Sequence, residues 1–436
     1  MTQNQVDLLS DLHARGLVAQ VTGDGALETH LRSGARTLYS GFDPTADSLH
    51  IGHLVPLLAL RRFQLAGHRP IALVGGATGL IGDPSFKAQE RKLSTPDIVA
   101  GWVDKLKAQV ERFVDFDSSA AGALVVNNLD WMGQFSALDF LRDVGKHFSV
   151  NTMIHKESVR QRLDRDGEGI SFTEFSYMLL QSYDFAELNR RHGCTLQIGG
   201  SDQWGNIVGG IDLSRRLNAE QVFGLTVPLV TKADGAKFGK TESGTIWLDP
   251  AKTSPYAFYQ FWINTADADV YKFLRYFTFL DLSRIEEIEA ADKLAAGRPE
   301  AQSILAADVT ALVHGNEGLA AAQRITQALF SGELAALSGD DLLQLRLDGL
   351  PASSISRSQL AGLPLTQLFS DCGLAASGKQ VKDALSSRAA FLNGRVLSSE
   401  DNMNAAAGFA AENALHNRFF IVRLGKKKYH LFEVAE

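Results

Sequence analysis

The chain has 436 residues, of which 45% are apolar and 21% are charged, a composition typical of a globular protein with two or three domains. It contains no run of 18 apolar residues and no secretory signal at its start, so we expect no membrane partner. Its two cysteines, Cys194 and Cys372, lie 178 positions apart, which argues against a disulfide framework. A reducing, cytoplasmic location is therefore predicted.

The net charge of −7 is distributed unevenly along the chain. From residue 375 to the end, nine Lys and Arg stand against six Asp and Glu, an excess of three positive charges, so the remainder carries −10. An acidic body with a basic tail predicts that the tail meets an anion. A solvated surface is the alternative, because an excess of three over about sixty residues is modest.

The first strong pattern in chain order runs from Tyr39 to His53. The β-prone segment 37–39 predicts the end of a strand, a loop follows at Gly41 and Asp43, and a helical period begins at Leu54. The first turn of a helix offers unpaired N–H groups and the positive end of the helix dipole. This stretch therefore predicts a site for a phosphate-bearing ligand.

Two histidines, His50 and His53, are expected to share one face of that first turn. Gly52 between them has no side chain that would obstruct a flat base. A pair of polar surface histidines is the alternative interpretation. A zinc pair is a further alternative, although no cysteine cluster or third histidine follows at ligand spacing.

Apolar segments alternate with helical patterns through the next hundred residues. Segment 69–76 is a predicted buried strand and 123–128 a further apolar strand, and the glycine-rich loop 77–84 between them contains Asp83. Asp83 is either a carboxylate at the mouth of the sheet or a turn residue before proline. The alternation predicts an α/β fold with a doubly wound, Rossmann-like parallel sheet.

A predicted helix over 171–184 carries Tyr177, Gln181 and Asp184 at positions i, i+4 and i+7, so the three side chains share one face. A half-exposed helix face is the alternative. A strand over 195–200 then ends in glycines and is followed by Asp202 and Gln203, at the edge where open α/β sheets bind ligands.

A strand over 225–230 leads into the loop Lys237-Phe238-Gly239-Lys240-Thr241. Two lysines three positions apart in a glycine-containing loop indicate a mobile cationic segment. As an isolated motif this pattern is weak.

The remaining pattern divides the chain into parts. We predict a catalytic domain over 1–232, the lysine loop and an α-helical domain over 233–349, and a linker rich in Ser, Pro and Gly over 350–364. A small α+β domain over 365–436 ends in a hairpin around 425–428.

Taken together, these motifs resemble those of class I aminoacyl-tRNA synthetases of the bacterial tyrosyl type. The resemblance covers the His-Ile-Gly-His phrase at 50–53, the loop at 76–83, the 171–184 helix, Gly-Gly-Ser-Asp-Gln at 199–203 and the lysine loop. The basic tail resembles an S4-type RNA-binding domain. One departure is the lysine signature: the family motif Lys-Met-Ser-Lys-Ser reads Lys-Phe-Gly-Lys-Thr here.

The resemblance implies a two-step reaction. The carboxylate of L-tyrosine attacks ATP to give tyrosyl-adenylate and pyrophosphate, and the tyrosyl group then passes to the 3′ end of tRNA(Tyr). ATP is a substrate that carries its own Mg²⁺, and no dedicated metal site in the protein is expected. The implied catalytic residues are Thr45, His50, His53, Lys237 and Lys240. The implied ATP-binding residues are Asp43, Gly52, Gly200, Asp202 and Lys240.

The same resemblance assigns the amino-acid pocket. Tyr39 and Asp184 are implied to hydrogen-bond the substrate phenol, with support from Asn128, Trp131 and Gln197. The residues implied around the rest of tyrosine are Asp83, Tyr177, Gln181 and Gln203. The basic residues expected to contact tRNA phosphates are Lys379, Lys382, Arg388, Arg395, Lys426, Lys427 and Lys428. The family also implies a homodimer, and no DNA partner is expected.

Three other interpretations compete with this one. A tryptophanyl-tRNA synthetase shares the architecture but should lack the pair Tyr39 and Asp184 and the basic tail. A cytidylyltransferase-type nucleotidyl transferase uses a similar histidine motif but needs no RNA-binding tail. An RNA-binding protein on an inactive synthetase scaffold is disfavoured by the presence of both histidines and both lysines.

Overall fold

The computed structural model describes residues 7–23, 25–83, 94–117, 119–156, 159–160, 163–164, 169–233, 235, 238–241, 244–297, 299–403 and 405–435. It forms two compact units. The first comprises Met1–Leu248 and Ala266–Ala301, and the second comprises Asp249–Thr265 and Gln302–Glu436. The boundaries of these units differ from the domain boundaries predicted after residues 232 and 349. The predicted division into domains remains a prediction.

The first unit is built on a six-stranded sheet with strand order β1-β6-β5-β2-β3-β4. Strands β2 to β6 are parallel, and β1 pairs with β6 in the antiparallel sense. The strands are β1 Gln20–Val21, β2 Thr37–Phe42, β3 Arg69–Val74, β4 Leu124–Asn127, β5 Cys194–Gly200 and β6 Phe223–Val227. The predicted α/β fold with a doubly wound, Rossmann-like parallel sheet is confirmed.

Strand order places the switch point of this sheet beside β2. The chain leaves β2 for β3 on one side and returns to β5 on the other, so a crevice opens at the carboxyl end of β2. Tyr39 lies opposite Ile71 of β3 and Gln197 of β5. The segments that follow β2, β3 and β5 therefore meet at one edge of the sheet.

Helices surround the sheet because the strands are apolar on both faces, as Ile71–Val74 in β3 illustrates. The helices of the first unit are Leu8–Arg15, Ala26–Arg32, Leu54–Leu65, Thr78–Ile81, Pro96–Val110, Leu129–Met132, Ala137–Asp143, Val150–Ile154, Phe172–His192, Trp204–Asn218, Asp267–Phe277 and Leu282–Leu294. A short hairpin of β7 Lys240–Thr241 and β8 Gly244–Thr245 follows β6.

The second unit combines helices with a five-stranded sheet of order β11-β10-β12-β13-β9. Its strands are β9 Ala352–Ser356, β10 Ala390–Leu392, β11 Arg395–Leu397, β12 Phe419–Leu424 and β13 Lys428–Ala435. Its helices are Pro255–Ile263, Ala301–Ser331, Gly339–Gln344, Arg357–Leu360, Leu365–Asp371, Gly378–Ser386 and Ala405–Gly408. The longest of these is broken at Gly315, where φ is 72°.

The core of the C-terminal α+β part is aromatic. The ring of Phe409 lies 4.9 Å from that of Phe420 and 5.4 Å from that of Phe432, measured between centroids. Phe420 in β12 lies opposite Phe432 in β13. The predicted terminal hairpin and small α+β fold are confirmed.

The predicted linker over 350–364 is wrong. Its residues 352–356 form β9, which pairs in parallel with β13, so that Ser354 lies opposite Glu433. A short helix, Arg357–Leu360, follows directly, with Leu360 buried in the core. The segment belongs to the C-terminal sheet because its backbone hydrogen bonds are made to a strand far away in sequence.

Across the described part of the chain, every helix is too short or too polar to cross a bilayer.

Candidate active site

The His-Ile-Gly-His phrase forms a tight turn directly ahead of helix Leu54–Leu65. Residues Ile51–His53 form a single 3₁₀ turn, and His50 caps it in extended conformation. The His50 Nδ1 atom accepts the Gly52 N–H at 3.1 Å, and the His53 Nδ1 atom accepts the His50 N–H at 3.1 Å. The two rings lie 4.0 Å apart. The predicted proximity of His50 and His53 is confirmed.

These reciprocal bonds fix the tautomers of the two rings. Because each Nδ1 accepts a backbone N–H, the proton of each neutral ring lies on Nε2. Burial, and then the neighbouring His50, hold the pKa of His53 well below its usual range, so the His53 ring is neutral at pH 7. Two Nε2–H donors carried on one turn suit the oxygens of a phosphate.

The lysine loop contacts this turn through its central glycine. Gly239 has a φ of +77°, and a Cβ atom there would lie 2.3 Å from Cγ2 of Ile51. Ile246, directly after β8, continues the contact: the Ile246 N–H donates to the Gly239 carbonyl, and the Ile51 N–H donates to the Ile246 carbonyl, both at 3.0 Å. Lys237 and the side chain of Lys240 lie outside the described part of the structure.

The residue before that glycine anchors the loop to helix Asp267–Phe277. The Phe238 ring lies 5.1 Å from the Phe273 ring and 5.3 Å from the Phe277 ring, the latter nearly parallel. At the start of the loop, the Ala233 N–H donates to both oxygens of Asp269 at 3.0 and 3.1 Å. The departure Phe-Gly from the family's Met-Ser therefore supplies an aromatic anchor and a close approach to Ile51.

Tyr39 and Asp184 lie at the buried end of the pocket. Tyr39 is 1% exposed, packs edge-on against Phe185 and has no hydrogen-bond partner for its hydroxyl among the described residues. Asp184 is equally buried and accepts hydrogen bonds from Trp131 Nε1 at 2.8 Å and Asn128 Nδ2 at 3.0 Å. The Tyr39 hydroxyl needs an acceptor, and the neighbouring Asp184 carboxyl group is fixed in position by two donors. Both features suit a ligand that carries a hydroxyl group.

Polar side chains from three segments meet nearer the mouth of the pocket. Gln203 Nε2 donates to Asp83 Oδ2 at 2.8 Å, and Gln181 Nε2 donates to Gln203 Oε1 at 3.2 Å. The Gln181 Oε1 atom is buried without a partner among the described residues. The site predictions from the glycine-rich loop, the helix and the β5 edge therefore converge, and their acceptors suit an ammonium group.

Asp43 and Tyr177 connect that mouth to the sheet. The Tyr177 hydroxyl donates to Asp43 Oδ2 at 2.7 Å, and the Thr78 hydroxyl donates to Asp43 Oδ1 at 2.6 Å. Thr78 is 2% exposed and also accepts the Asn128 amide at 3.0 Å. Thr78 lies in the predicted glycine-rich loop, and no role was expected for it from the sequence. The available signal was a hydroxyl residue at the start of a helix that follows a glycine-rich strand end.

The predicted ATP-binding positions lie along the same edge. Thr45 is exposed in the loop after β2, and its N–H donates to the Asp43 carbonyl at 2.8 Å. Gly200 ends β5, where a Cβ atom would lie 2.4 Å from Asp202 Oδ1. Burial, and then Asp83, raise the pKa of Asp202. This arrangement keeps backbone accessible beside a carboxyl group that can accept from hydroxyls.

Burial raises the pKa of Asp184 to about 8 against the opposing effect of its two hydrogen-bond donors. The folded protein therefore holds a proton that an unfolded chain has already lost above pH 4. Protonated Asp184 therefore contributes fully to the free energy of unfolding below pH 4, and this contribution is lost as the pH rises through 8.

Asp184→Asn should remove this dependence. We expect the free energy of unfolding of the parent chain to fall relative to the variant between pH 5 and 8, with a slope of at most about 1.4 kcal/mol per pH unit. Urea unfolding of both proteins at several pH values measures the difference, in which the other titrating groups cancel. Parallel pH curves would contradict the assignment.

The predicted RNA contacts all belong to the C-terminal part of the second unit and are exposed. Lys379 and Lys382 lie three positions apart on helix Gly378–Ser386, and Arg395 begins β11, 3.2 Å from Asp401. The remaining positions are Arg388 after that helix, Lys426 and Lys427 in the turn between β12 and β13, and Lys428 at the start of β13.

Known proteins share this arrangement over the whole chain. Residues 32–331 match the model of class I tRNA synthetases for W and Y, and residues 341–432 match the C-terminal domain model of SYY-like tyrosine–tRNA ligases. Tyrosine–tRNA ligase of Aliivibrio fischeri is 61% identical over 426 residues, with 98% of each chain covered. That of Dechloromonas aromatica is 59% identical over 427 residues, with 98% of this chain and 99% of the relative covered.

A solved structure agrees with these sequence matches. The C-terminally truncated mitochondrial tyrosyl-tRNA synthetase of Aspergillus nidulans superposes with a TM-score of 0.66 at 29% identity, covering 75% of this chain and 95% of its own. The chain therefore belongs to the class I aminoacyl-tRNA synthetases. Within that class it belongs with the tyrosine–tRNA ligases, which confirms the function predicted from the sequence.

Proposed function

We propose that this chain activates L-tyrosine with ATP in the pocket beside β2 and transfers the tyrosyl group to tRNA(Tyr). The observation that carries the tyrosine assignment is the buried Tyr39 hydroxyl beside Asp184, which has no hydrogen-bond partner in the part of the chain that the structure describes. A substrate phenol can accept from Tyr39 and donate to Asp184. Phenylalanine would leave the buried Tyr39 hydroxyl without an acceptor and would offer no donor to Asp184.

The activation step needs no general base, because the tyrosine carboxylate is already an adequate nucleophile. It attacks the α-phosphorus of ATP, the bond to the β-phosphate oxygen breaks, and pyrophosphate leaves with the negative charge. Donors aimed at that charge lower the barrier, and the loss of one typically costs about 3–4 kcal/mol. We assign this role to Thr45, the Nε2–H groups of His50 and His53, and the lysines Lys237 and Lys240.

The other substrate groups are assigned by donor and acceptor type. Asp83, Tyr177, Gln181 and Gln203 surround the α-ammonium group, for which the buried Gln181 Oε1 atom is a fitting acceptor. Gly52 and Gly200 allow close approach of adenosine. The segment around Asp43 lies beside the phosphates, and Asp202 accepts hydrogen bonds from the ribose hydroxyls.

Mg²⁺ is expected to travel with ATP. The donors that we assign to the phosphates are imidazole N–H groups and lysines, which suit phosphate oxygens and do not suit a divalent cation. The phosphates of ATP are therefore the expected ligands of Mg²⁺, which would neutralise part of their charge.

Pyrophosphate–ATP exchange with tyrosine, phenylalanine and tryptophan supplied separately tests this function. We expect exchange with tyrosine alone, in the absence of tRNA. Exchange with tryptophan would overturn the amino-acid assignment and leave the class intact. No exchange with any of the three would favour the inactive-scaffold interpretation.

For tRNA, we propose that the exposed basic residues of the C-terminal part contact phosphates and position the RNA without reading bases. The S4-type resemblance and the local excess of positive charge support this assignment. Replacing Lys426, Lys427 and Lys428 by Gln should reduce the slope of log affinity against log salt by about three when all three contact phosphates. A slope equal to that of the parent chain would contradict it.

We also propose a cytoplasmic homodimer. Helix Ala137–Asp143 exposes Leu138 by 80% and Leu141 by 54%, and Val150 of the next helix is exposed by 60%. Leu138 and Leu141 lie three positions apart, on one face of their helix, which suits burial against a second copy of the same chain. Leu138→Lys with Leu141→Lys should yield monomers in analytical ultracentrifugation, whereas an unchanged dimer would exclude this face.

A further inference from the structure

We infer that Thr78 is a positioning residue that holds the phenol end and the ammonium end of the tyrosine pocket in one hydrogen-bonded unit. The inference rests on the proposed tyrosine site. Thr78 begins helix Thr78–Ile81 and is almost fully buried. Its hydroxyl donates to Asp43 Oδ1 at 2.6 Å and accepts from Asn128 Nδ2 at 3.0 Å.

The direction of this network is fixed by Asn128. Its Oδ1 atom accepts the Ala77 N–H at 2.7 Å, so the amide cannot be flipped. Its two N–H groups are then available for Thr78 Oγ1 and Asp184 Oδ2, each at 3.0 Å. Since Thr78 Oγ1 already accepts from Asn128, the hydroxyl proton is left for Asp43.

The other end of the network is Tyr177, whose hydroxyl donates to the second oxygen of Asp43 at 2.7 Å. The order Asp184, Asn128, Thr78, Asp43 and Tyr177 therefore connects the residue assigned to the phenol with a residue assigned to the ammonium group. Within this series, Thr78 is the residue that donates to the ammonium half, through Asp43, and accepts from the phenol half, through Asn128.

The hydrogen bond between Thr78 and Asp43 requires a glycine at residue 75. A Cβ atom at Gly75 would lie 2.0 Å from Asp43 Oδ1 and 2.2 Å from Thr78 Oγ1. The two hydrogen-bonded oxygens thus occupy the space above a glycine at the end of β3. A side chain at residue 75 would separate them.

Removal of the Thr78 hydroxyl should loosen both ends of the pocket. Asn128 would keep one buried N–H without an acceptor, and Asp43 would lose one of its donors. Asp184 would then be bonded to a less firmly held Asn128, and Tyr177 to a less firmly held Asp43. The expected result is a loss of tyrosine recognition that exceeds any change in ATP binding, because Asp43 keeps its hydrogen bond from Tyr177 and the network does not include His50 or His53.

Thr78→Val tests this inference because it keeps the branched shape and deletes the hydroxyl. In pyrophosphate exchange we expect the KM for tyrosine to rise roughly 5- to 100-fold, the range for one or two buried polar groups that lose a partner. We expect the ratio of kcat/KM for tyrosine to that for phenylalanine to fall, and the KM for ATP to change less than the KM for tyrosine. Thr78→Ser should restore both tyrosine parameters to within about threefold.

Thr226→Val is the matched control. Thr226 is fully buried in β6 of the same sheet, and its hydroxyl contacts Gln20 at 3.4 Å, away from the network. This variant should keep the KM and the selectivity of the parent chain. Thr78→Ala, read in the same way, replaces Thr78→Val should the latter fail to fold by circular dichroism.

The outcomes separate the inference from the function on which it rests. Parent-like kinetics for Thr78→Val, or equal losses for Thr78→Val and Thr78→Ser, would overturn the inference. If Tyr39→Phe and Asp184→Asn change selectivity in the same assay while Thr78→Val does not, the tyrosine site stands and the coupling through Thr78 falls. If none of these variants changes selectivity, the tyrosine site itself is wrong.

Discussion

Tyr39→Phe is expected to reduce discrimination between tyrosine and phenylalanine by roughly 5- to 150-fold, equivalent to about 1–3 kcal/mol for a buried polar group that loses its partner. The Tyr39 hydroxyl is buried, and burial, then Asp184, raise its pKa well above the usual range, so it remains a neutral donor. Without it, the substrate phenol loses a partner, whereas phenylalanine no longer leaves an orphaned protein hydroxyl behind.

Asp184→Asn should act in the same direction by a different route. Its amide can still accept from Trp131 or from Asn128, but it cannot accept from both and also from the substrate. The measurement is kcat/KM for each amino acid in pyrophosphate exchange, with Thr226→Val as the control. If the tyrosine value is unchanged in both variants, neither residue reads the phenol.

The part of the site that the sequence could predict lies on single elements. Tyr177, Gln181 and Asp184 belong to helix Phe172–His192, so the helical period alone places them on one face. His50 and His53 follow a strand and precede a helix, which places them at the carboxyl edge of the sheet. Spacing is sufficient where one helix or one turn determines the geometry.

Contacts between distant segments were not accessible in this way. β9 has a polar, serine-rich sequence without an alternating apolar pattern, and its partner β13 lies about eighty residues further on, so composition favoured a linker. The role of Thr78 is inaccessible from the sequence for the same reason, since Asp43, Thr78 and Asn128 come from three segments that are distant in sequence. Their distances depend on strand order, which a local pattern does not encode.

Gly239 of the lysine loop lies against Ile51 of the His-Ile-Gly-His turn, so a side chain at residue 239 should disturb activation. Gly239→Ala should lower kcat for tyrosyl-adenylate formation by roughly 5- to 150-fold, because overpacking of a filled contact costs about 1–3 kcal/mol. The new methyl group would lie 2.3 Å from Cγ2 of Ile51, which is buried within the His-Ile-Gly-His turn. The loop backbone that leads to Lys237 and Lys240 must then move away from the histidines.

The same loop supplies the control for this prediction. Gly235 has a φ of +78°, against +77° at Gly239, but among the described residues no atom lies within 4 Å of the position of its Cβ. Gly235→Ala therefore carries the same backbone strain, about 1–2 kcal/mol, without the collision. We expect Gly235→Ala to keep most of the activity and Gly239→Ala to lose it, with the KM for tyrosine unchanged in both. Equal losses in the two variants would mean that backbone strain, and not contact with Ile51, couples the lysine loop to the histidine turn.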